Sequence, residues 1–186
     1  MLILSEIWVY PVKSLGGISM QEATVTDRGL ELDRRWLLVD DDGRFLSQRE
    51  HPQLALFMPE VIDDNLKISH REFLESIYLK LHPVFSSGNN KVKVTVWDDT
   101  IDAFEVSMEA SDWFTKLLGF PARLVYMPEE SKRKIDPDYA ISGQEITSFS
   151  DAYPFLIIGQ SSLDDLNTRL PVKVSINRFR PNFVFA

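Results

Sequence analysis

The 186-residue chain contains no cysteine. That absence excludes disulfide frameworks, thiolate zinc sites, iron–sulfur clusters and cysteine nucleophiles together. It also fits a reducing compartment. An excess of positive charge is missing too: 20 Lys and Arg stand against 28 Asp and Glu, a net charge of −8. Such a balance argues against a general nucleic-acid binder or a polybasic membrane partner. Apolar stretches such as Phe155 to Ile158 are far too short to span a bilayer. Met1 to Val9 has no basic stretch ahead of its apolar residues, and Glu6 interrupts them, so no signal peptide is expected. The expectation is a cytoplasmic protein with no nucleic-acid and no membrane partner.

The common chemical motifs are absent as well. There is no HExxH, no Gly-x-Ser-x-Gly, no Walker A and no Rossmann glycine pattern. His51, His70 and His82 lie in different segments without ligand spacing, so no metal site is expected from them. Asp40 to Asp42 and Asp164-Asp165 have the look of turn and helix-start chemistry, and no catalytic residue is identified.

What is present is a folding sequence. Hydrophobic residues at 44% and charged residues at 26% lie near the globular average and exclude wholesale disorder. Most of the chain patterns as short strands: Ile3 to Val12, Ile18 to Thr26, Gln53 to Ile62, Leu66 to His70, Ser76 to Leu81 and Ile101 to Val106. Trp36 to Val39 and Arg44 to Gln48 flank Asp40-Asp41-Asp42-Gly43, a hairpin whose glycine supplies positive φ. The cleanest alternation is Lys91 to Trp97, and turns are expected at Asp63-Asp64-Asn65 and over Ser86 to Asn90. Two helices are predicted. One is capped by Ser107, carries Ala110, Trp113, Phe114 and Leu117 on one face, and is closed by Gly119 and Pro121. The other runs from Ser162 to Leu170 with Leu163, Leu166 and Leu170 as its stripe. The fold class is α+β and predominantly β, a barrel or closed sheet.

A boundary falls between Pro128 and Gln144, where Glu129 to Lys134 is densely charged; linker and functional loop both remain open. The C-terminal Phe183-Val184-Phe185-Ala186 patterns as mid-strand. It is either a natural edge strand or a point inside a domain. Against the acidic background, Lys13-Ser14, Arg34-Arg35, Arg178 and Arg180 are conspicuous. Arginine offers a planar fork suited to phosphate and lysine a point charge. Spacing alone leaves two readings, a converging oxyanion pocket or separate solvated charges.

At these same residues the chain resembles a known family. YPVKSLGG (Tyr10 to Gly17) and GLELDRRWLLVDDDGRFLSQRE (Gly29 to Glu50) are similar to the N-terminal β-barrel domain that precedes MOSC domains. FSDAYPFLIIGQSSLDDLN (Phe149 to Asn167) and NRFRPNFVFA (Asn177 to Ala186) resemble the opening of the MOSC domain, named after the C-terminal part of molybdenum cofactor sulfurase. The relatives in kind are bacterial YcbX-type proteins and the mitochondrial amidoxime-reducing component.

The resemblance implies a MOSC N-terminal β-barrel-like domain over residues 1–127 and a linker with an incomplete MOSC β-barrel over 128–186. It implies an oxidoreductase holding molybdenum cofactor (molybdopterin), acting on N-oxygenated substrates and fed by a separate electron-donor protein or domain. It places Lys13, Ser14, Arg34, Ser150, Asp151, Arg180 and Asn182 in the cofactor pocket. In that family a cysteine thiolate downstream of FRPN holds the metal, and this chain has none. The expectation is therefore a truncated, catalytically inert N-terminal part, whose own cofactor binding is left open. The alternative is a non-catalytic β-barrel module for a phosphorylated ligand or a protein partner.

Overall fold

The computed structural model describes residues 1–86 and 90–186. From the N-terminus come strands β1 (Leu4–Val9), β2 (Ile18–Met20), β3 (Val25–Thr26), β4 (Gly29–Leu30) and β5 (Trp36–Val39). A 3-10 turn over Pro52–Leu56 leads into β6 (Phe57–Ile62), β7 (Asn65–His70) and β8 (Phe73–Lys80). Then follow β9 (Lys91–Val96), β10 (Asp99–Glu105), helix α1 (Met108–Leu118) and β11 (Arg123–Tyr126). The last part holds β12 (Arg133–Lys134), β13 (Ile146–Thr147), β14 (Ile157–Gly159), α2 (Gln160–Arg169) and β15 (Phe183–Phe185). The chain is α+β with strands predominant, as the sequence predicts. The turn expected over Ser86 to Asn90 lies largely outside the described residues. Among the described residues no helix is long and apolar enough to cross a membrane.

The two larger sheets have the orders β14-β15-β1-β2 and β5-β11-β10-β9, and β6-β7-β8 is a meander. Strand β1 runs antiparallel to both its neighbours, with Leu4 opposite Phe185 and Ile7 opposite Phe183 on one side. Strand β14 adds in parallel on the far side of β15. Phe183–Phe185 is therefore an interior strand, and its pairing with β1 brings Leu4–Ile7 and Phe183–Phe185 side by side.

Strand β5 explains where the core sits. All four of its residues are buried. Trp36 and Leu38 pack with Leu54, Phe57, Leu66, Ile68, Phe114 and Leu124 under the meander and α1. Leu37 and Val39 pack on the opposite face with Phe45, Val94, Val96, Val125 and Phe149. A strand covered on both faces has no wet side and loses its alternation. A small third cluster, Leu163, Ile176 and Val184, seats α2.

Local signals account for several boundaries. The Ser107 hydroxyl accepts from Ala110 N at 3.1 Å, and Gly119 ends α1 in the left-handed region. At the hairpin, Gly43 has φ +78° and a Cβ there would lie 2.5 Å from the Lys93 carbonyl oxygen. The arm after Gly43 is held by isolated bridges, Val39 to Phe45 and Arg44 to Thr95, instead of the continuous strand expected through Gln48. Ile18 to Thr26 splits into β2 and β3, because Gln21 to Thr24 makes a detour. In α2 only Leu163 is buried.

Candidate functional site

Tyr10 to Leu15 leave β1 and run beside the start of β5. Val12 bridges Trp36 in parallel, Lys13 N donates to Trp36 O at 2.9 Å, and Arg34 N donates to Tyr10 O at 2.8 Å. Phe149 N donates to Arg34 O at 3.0 Å, and Trp8 N donates to Asn182 O at 2.9 Å. Loops around residues 10–15, 33–35 and 148–151 are thereby sewn to one another by main chain, and the loop around 180–182 is tied to β1 just ahead of the first. All seven residues singled out in the sequence lie on them.

The two arginines meet. The Arg34 and Arg180 guanidinium carbons sit 4.5 and 4.3 Å from the centre of the Tyr10 ring. Arg34 Nη2 donates to the Arg180 carbonyl at 3.0 Å, and Arg34 Nη1 donates to Asp33 Oδ2 at 2.5 Å and Asn182 Oδ1 at 3.2 Å. Asp33 is buried, and its other oxygen accepts from Tyr10 N at 2.8 Å. Arg180 Nη1 donates to the Leu15 carbonyl, whereas its buried Nη2 has no hydrogen-bond partner. Burial first, then the neighbouring Arg34 charge, pulls Arg180 down to about 10. Burial pushes the Tyr10 hydroxyl up to about 12 despite the two cations.

Lys13 completes the cationic rim. Its side chain is 8% exposed, and Nζ donates to Asp151 Oδ1 at 2.7 Å. Trp97 Nε1 donates to the same oxygen at 3.2 Å. Burial draws Lys13 down to about 8, against the support of Asp151. Partial desolvation pushes the Asp151 carboxyl up, but the Lys13 charge and the hydrogen bonds from Lys13 and Trp97 reverse this and hold it below the ordinary range. The Ser14 carbonyl accepts from Gln48 Nε2 at 2.6 Å.

Two of the seven face inward. The Asn182 side chain is fully committed: Nδ2 donates to Trp8 O at 3.1 Å, and Oδ1 accepts from Leu156 N at 3.1 Å as well as from Arg34. The Ser150 hydroxyl is buried and paired with the Thr147 hydroxyl at 2.5 Å. Their contacts hold the other residues in place.

Backbone strain concentrates here. Among the described residues the non-glycine positions with positive φ are Ser14 (69°), Leu32 (68°), Arg34 (50°), Asp63 (51°), Trp97 (55°) and Arg180 (57°). Four of these six belong to the cluster just described. Such residues cost of order 1–3 kcal/mol each and persist where surrounding contacts over-determine them, typically at functional sites.

Sequence reasoning missed Tyr10 as the shared platform, Asp33 as its anchor, Trp97, and above all Arg133. Asp33 stands inside the quoted DRRW stretch and could have been flagged by it. Arg133 sits in a charged run and gives no local signal. An open cleft of about 1120 Å³, lined in part by Lys91, Asp102, Phe104 and Arg133, contains none of the seven residues. Among the described residues no three His, Asp or Glu side chains gather as a metal site. His70 is buried and accepts from Glu72 N at 3.2 Å.

Comparison with known proteins identifies the architecture. The model of the MOSC N-terminal beta barrel domain matches residues 1–121, and that of the MOSC domain matches residues 144–186. The chain is 31% identical to mitochondrial amidoxime-reducing component 1 of Mus musculus over 98% of its own length and 55% of that protein. It is 34% identical to mitochondrial amidoxime reducing component 2 of Bos taurus, over 97% and 55%. Molybdenum cofactor sulfurase of Drosophila grimshawi is 24% identical over 97% of this chain and 23% of that one. The chain thus spans about half the length of the amidoxime-reducing relatives it matches. By the match of both models and the identity along nearly its whole length, this chain belongs to the MOSC family, with the MOSC N-terminal β-barrel domain leading into MOSC-domain sequence.

Proposed function

We propose that this chain binds the molybdenum cofactor through the phosphate of its pterin and forms part of an oxidoreductase acting on N-hydroxylated compounds. The carrying observation is Arg180 Nη2, a buried guanidinium nitrogen with no partner, beside Arg34 on the Tyr10 ring. Two guanidiniums and an ammonium in one poorly hydrated place call for an anion, and the arginine fork matches phosphate. In this reading Lys13, Arg34 and Arg180 bind the phosphate, and Ser14 and Asp151 line the pterin side. Asn182 and Ser150 hold Arg34 and the 148–151 turn in place.

The donor set fits the phosphate end of the cofactor. It does not fit the metal end, because the 186 residues contain no cysteine and molybdenum of this class wants a soft thiolate. When bound in a complete enzyme, the cofactor supplies the two-electron reduction of an N–O bond. The residues here orient it, exclude water around its phosphate and neutralise its charge. We therefore propose that these 186 residues alone bind without catalysing, that a separate protein or domain donates the electrons, and that the functional units are 1–127 and 128–186. The relatives' names are mitochondrial; for this chain a cytoplasmic location is proposed.

The missing thiolate also favours a second reading, a non-catalytic β-barrel module for a phosphorylated ligand or a protein partner. Titration with isolated molybdopterin, followed by Trp97-region fluorescence, separates them. Saturable binding that is lost in Arg180→Ala supports the first. Pyrophosphate binding with no preference for the pterin overturns it and favours the second.

A further inference from the structure

Arg133 lies in the run Glu129 to Lys134, yet it is 6% exposed. Its guanidinium touches no candidate side chain directly. Instead Nη1 donates to the carbonyls of Ser148, at 3.2 Å, and Ser150, and Nη2 donates to the Asp151 carbonyl at 3.1 Å. On the other side Nε donates to Asp99 Oδ2 at 2.7 Å, which ties the group to the start of β10. One planar fork thus gathers three carbonyls of a four-residue turn and anchors them to a sheet.

The turn matters because of what it carries. Asp151 has its main-chain carbonyl on Arg133 and its carboxylate on Lys13 and Trp97. Its side chain is 68% exposed, so beyond the bonds from Lys13 and Trp97 the aim of the carboxylate depends on the main chain that carries it. We propose that Arg133 is a positioning residue of the anion pocket, fixing the Ser148–Asp151 turn so that the Asp151 carboxylate meets Lys13.

This rests on the pocket reading above, but its test does not need the cofactor. The charged groups facing Lys13 are Asp151, Arg34 and Arg133. Asp151 raises the affinity of Lys13 for its proton, while Arg133 and Arg34 as like charges lower it. Loss of positioning and loss of charge therefore move Lys13 in opposite directions. The experiment is an NMR pH titration of the Lys13 ζ-nitrogen in the whole chain, assigned by Lys13→Arg. Arg133→Lys keeps the charge but cannot bridge three carbonyls. It should lower the Lys13 midpoint by about one pH unit, the scale of a lost opposite charge. In an Asp151→Asn background, where there is no carboxylate left to position, Arg133→Lys should leave the midpoint unmoved and Arg133→Gln, which removes only a like charge, should raise it.

A midpoint unchanged in Arg133→Lys, or lowered by Arg133→Lys as much in the Asp151→Asn background as in the parent, overturns the proposal and leaves Arg133 a structural clamp. Should Arg133→Gln not fold, Arg133→Lys decides alone. A chain that passes this test yet fails to bind molybdopterin refutes the cofactor reading and leaves the positioning role standing.

Discussion

Arg34 and Arg180 share one face-to-cation partner, the Tyr10 ring, and Arg34 donates to the main-chain carbonyl of Arg180 at 3.0 Å. The two like charges come from positions 146 residues apart. Their repulsion is offset by Asp33, which is buried beneath Arg34, and by the ring's negative face. One carboxylate for two guanidiniums leaves the place short of negative charge. That shortfall is what the proposed anion would relieve.

Tyr10 should act through its ring alone. Its hydroxyl is buried without a partner, so Tyr10→Phe removes an unsatisfied group and should be neutral or stabilising by about 1 kcal/mol. Tyr10→Leu keeps apolar bulk but removes the π-face from both arginines, a loss of about 1–2 kcal/mol for each desolvated contact. Urea denaturation of the two variants checks the ordering, with Leu well below Phe.

The same ring sets a limit on Gly17. A Cβ added there would stand 2.4 Å from Tyr10 Cε1. The ring cannot retreat, because the guanidiniums of Arg34 and Arg180 pack on it. Gly17→Ala should cost about 1–3 kcal/mol by overpacking and should weaken anion binding. Gly119→Ala, where no atom lies within 4 Å of the added Cβ, should leave anion binding intact. Phosphate titration of both variants makes the comparison.

Asn182 should be a stability residue first. It is 1% exposed and joins Trp8 on β1, Leu156 before β14, and Arg34. Asn182→Ala strands a carbonyl and an amide in the interior and should cost about 2–4 kcal/mol. A denaturation midpoint close to that of the parent chain would return Asn182 to the ligand-reading role.

Much of this frame was legible because its signals are local. The Ser107 cap, the Gly119 end of α1 and the Asp40–Gly43 hairpin each need only a few adjacent residues to specify. The β6-β7-β8 meander follows from turn residues between alternating runs. The β1–β15 pairing does not, since its bonded groups reach 179 residues apart and nothing near either strand names the partner. Arg133 was hidden for a related reason. A charged run has no period, and whether one of its members is buried depends on carbonyls contributed by a distant turn. The seven candidate residues could be named from family resemblance, but which of them keep a polar atom free is a matter of hydrogen bonds. Asn182 and Arg180 stand two residues apart in one motif. One has every polar atom committed, and the other keeps a nitrogen free.

Lys13 should give the proposed anion site a pH dependence with two separable signs. Its proton affinity is drawn from 10.5 down to about 8 by burial. Below pH 8 the ammonium is present, so phosphate binding should be strong there and should fall as pH rises through 8. Stability should move the other way. Between pH 8 and 10.5 the unfolded chain holds a proton that the folded chain has released, so stability rises with pH. Over pH 8 to 10 the gain is about 2–3 kcal/mol at most. Arg180, at about 10, begins to titrate only at the top of that window, and Tyr10, at about 12, titrates above it. Lys13→Met should flatten the stability curve between pH 8 and 10 and remove the fall in phosphate affinity. A parent chain whose stability declines across that interval relative to Lys13→Met would mean that the ammonium is better accommodated folded than unfolded, and that the Asp151 pair outweighs burial.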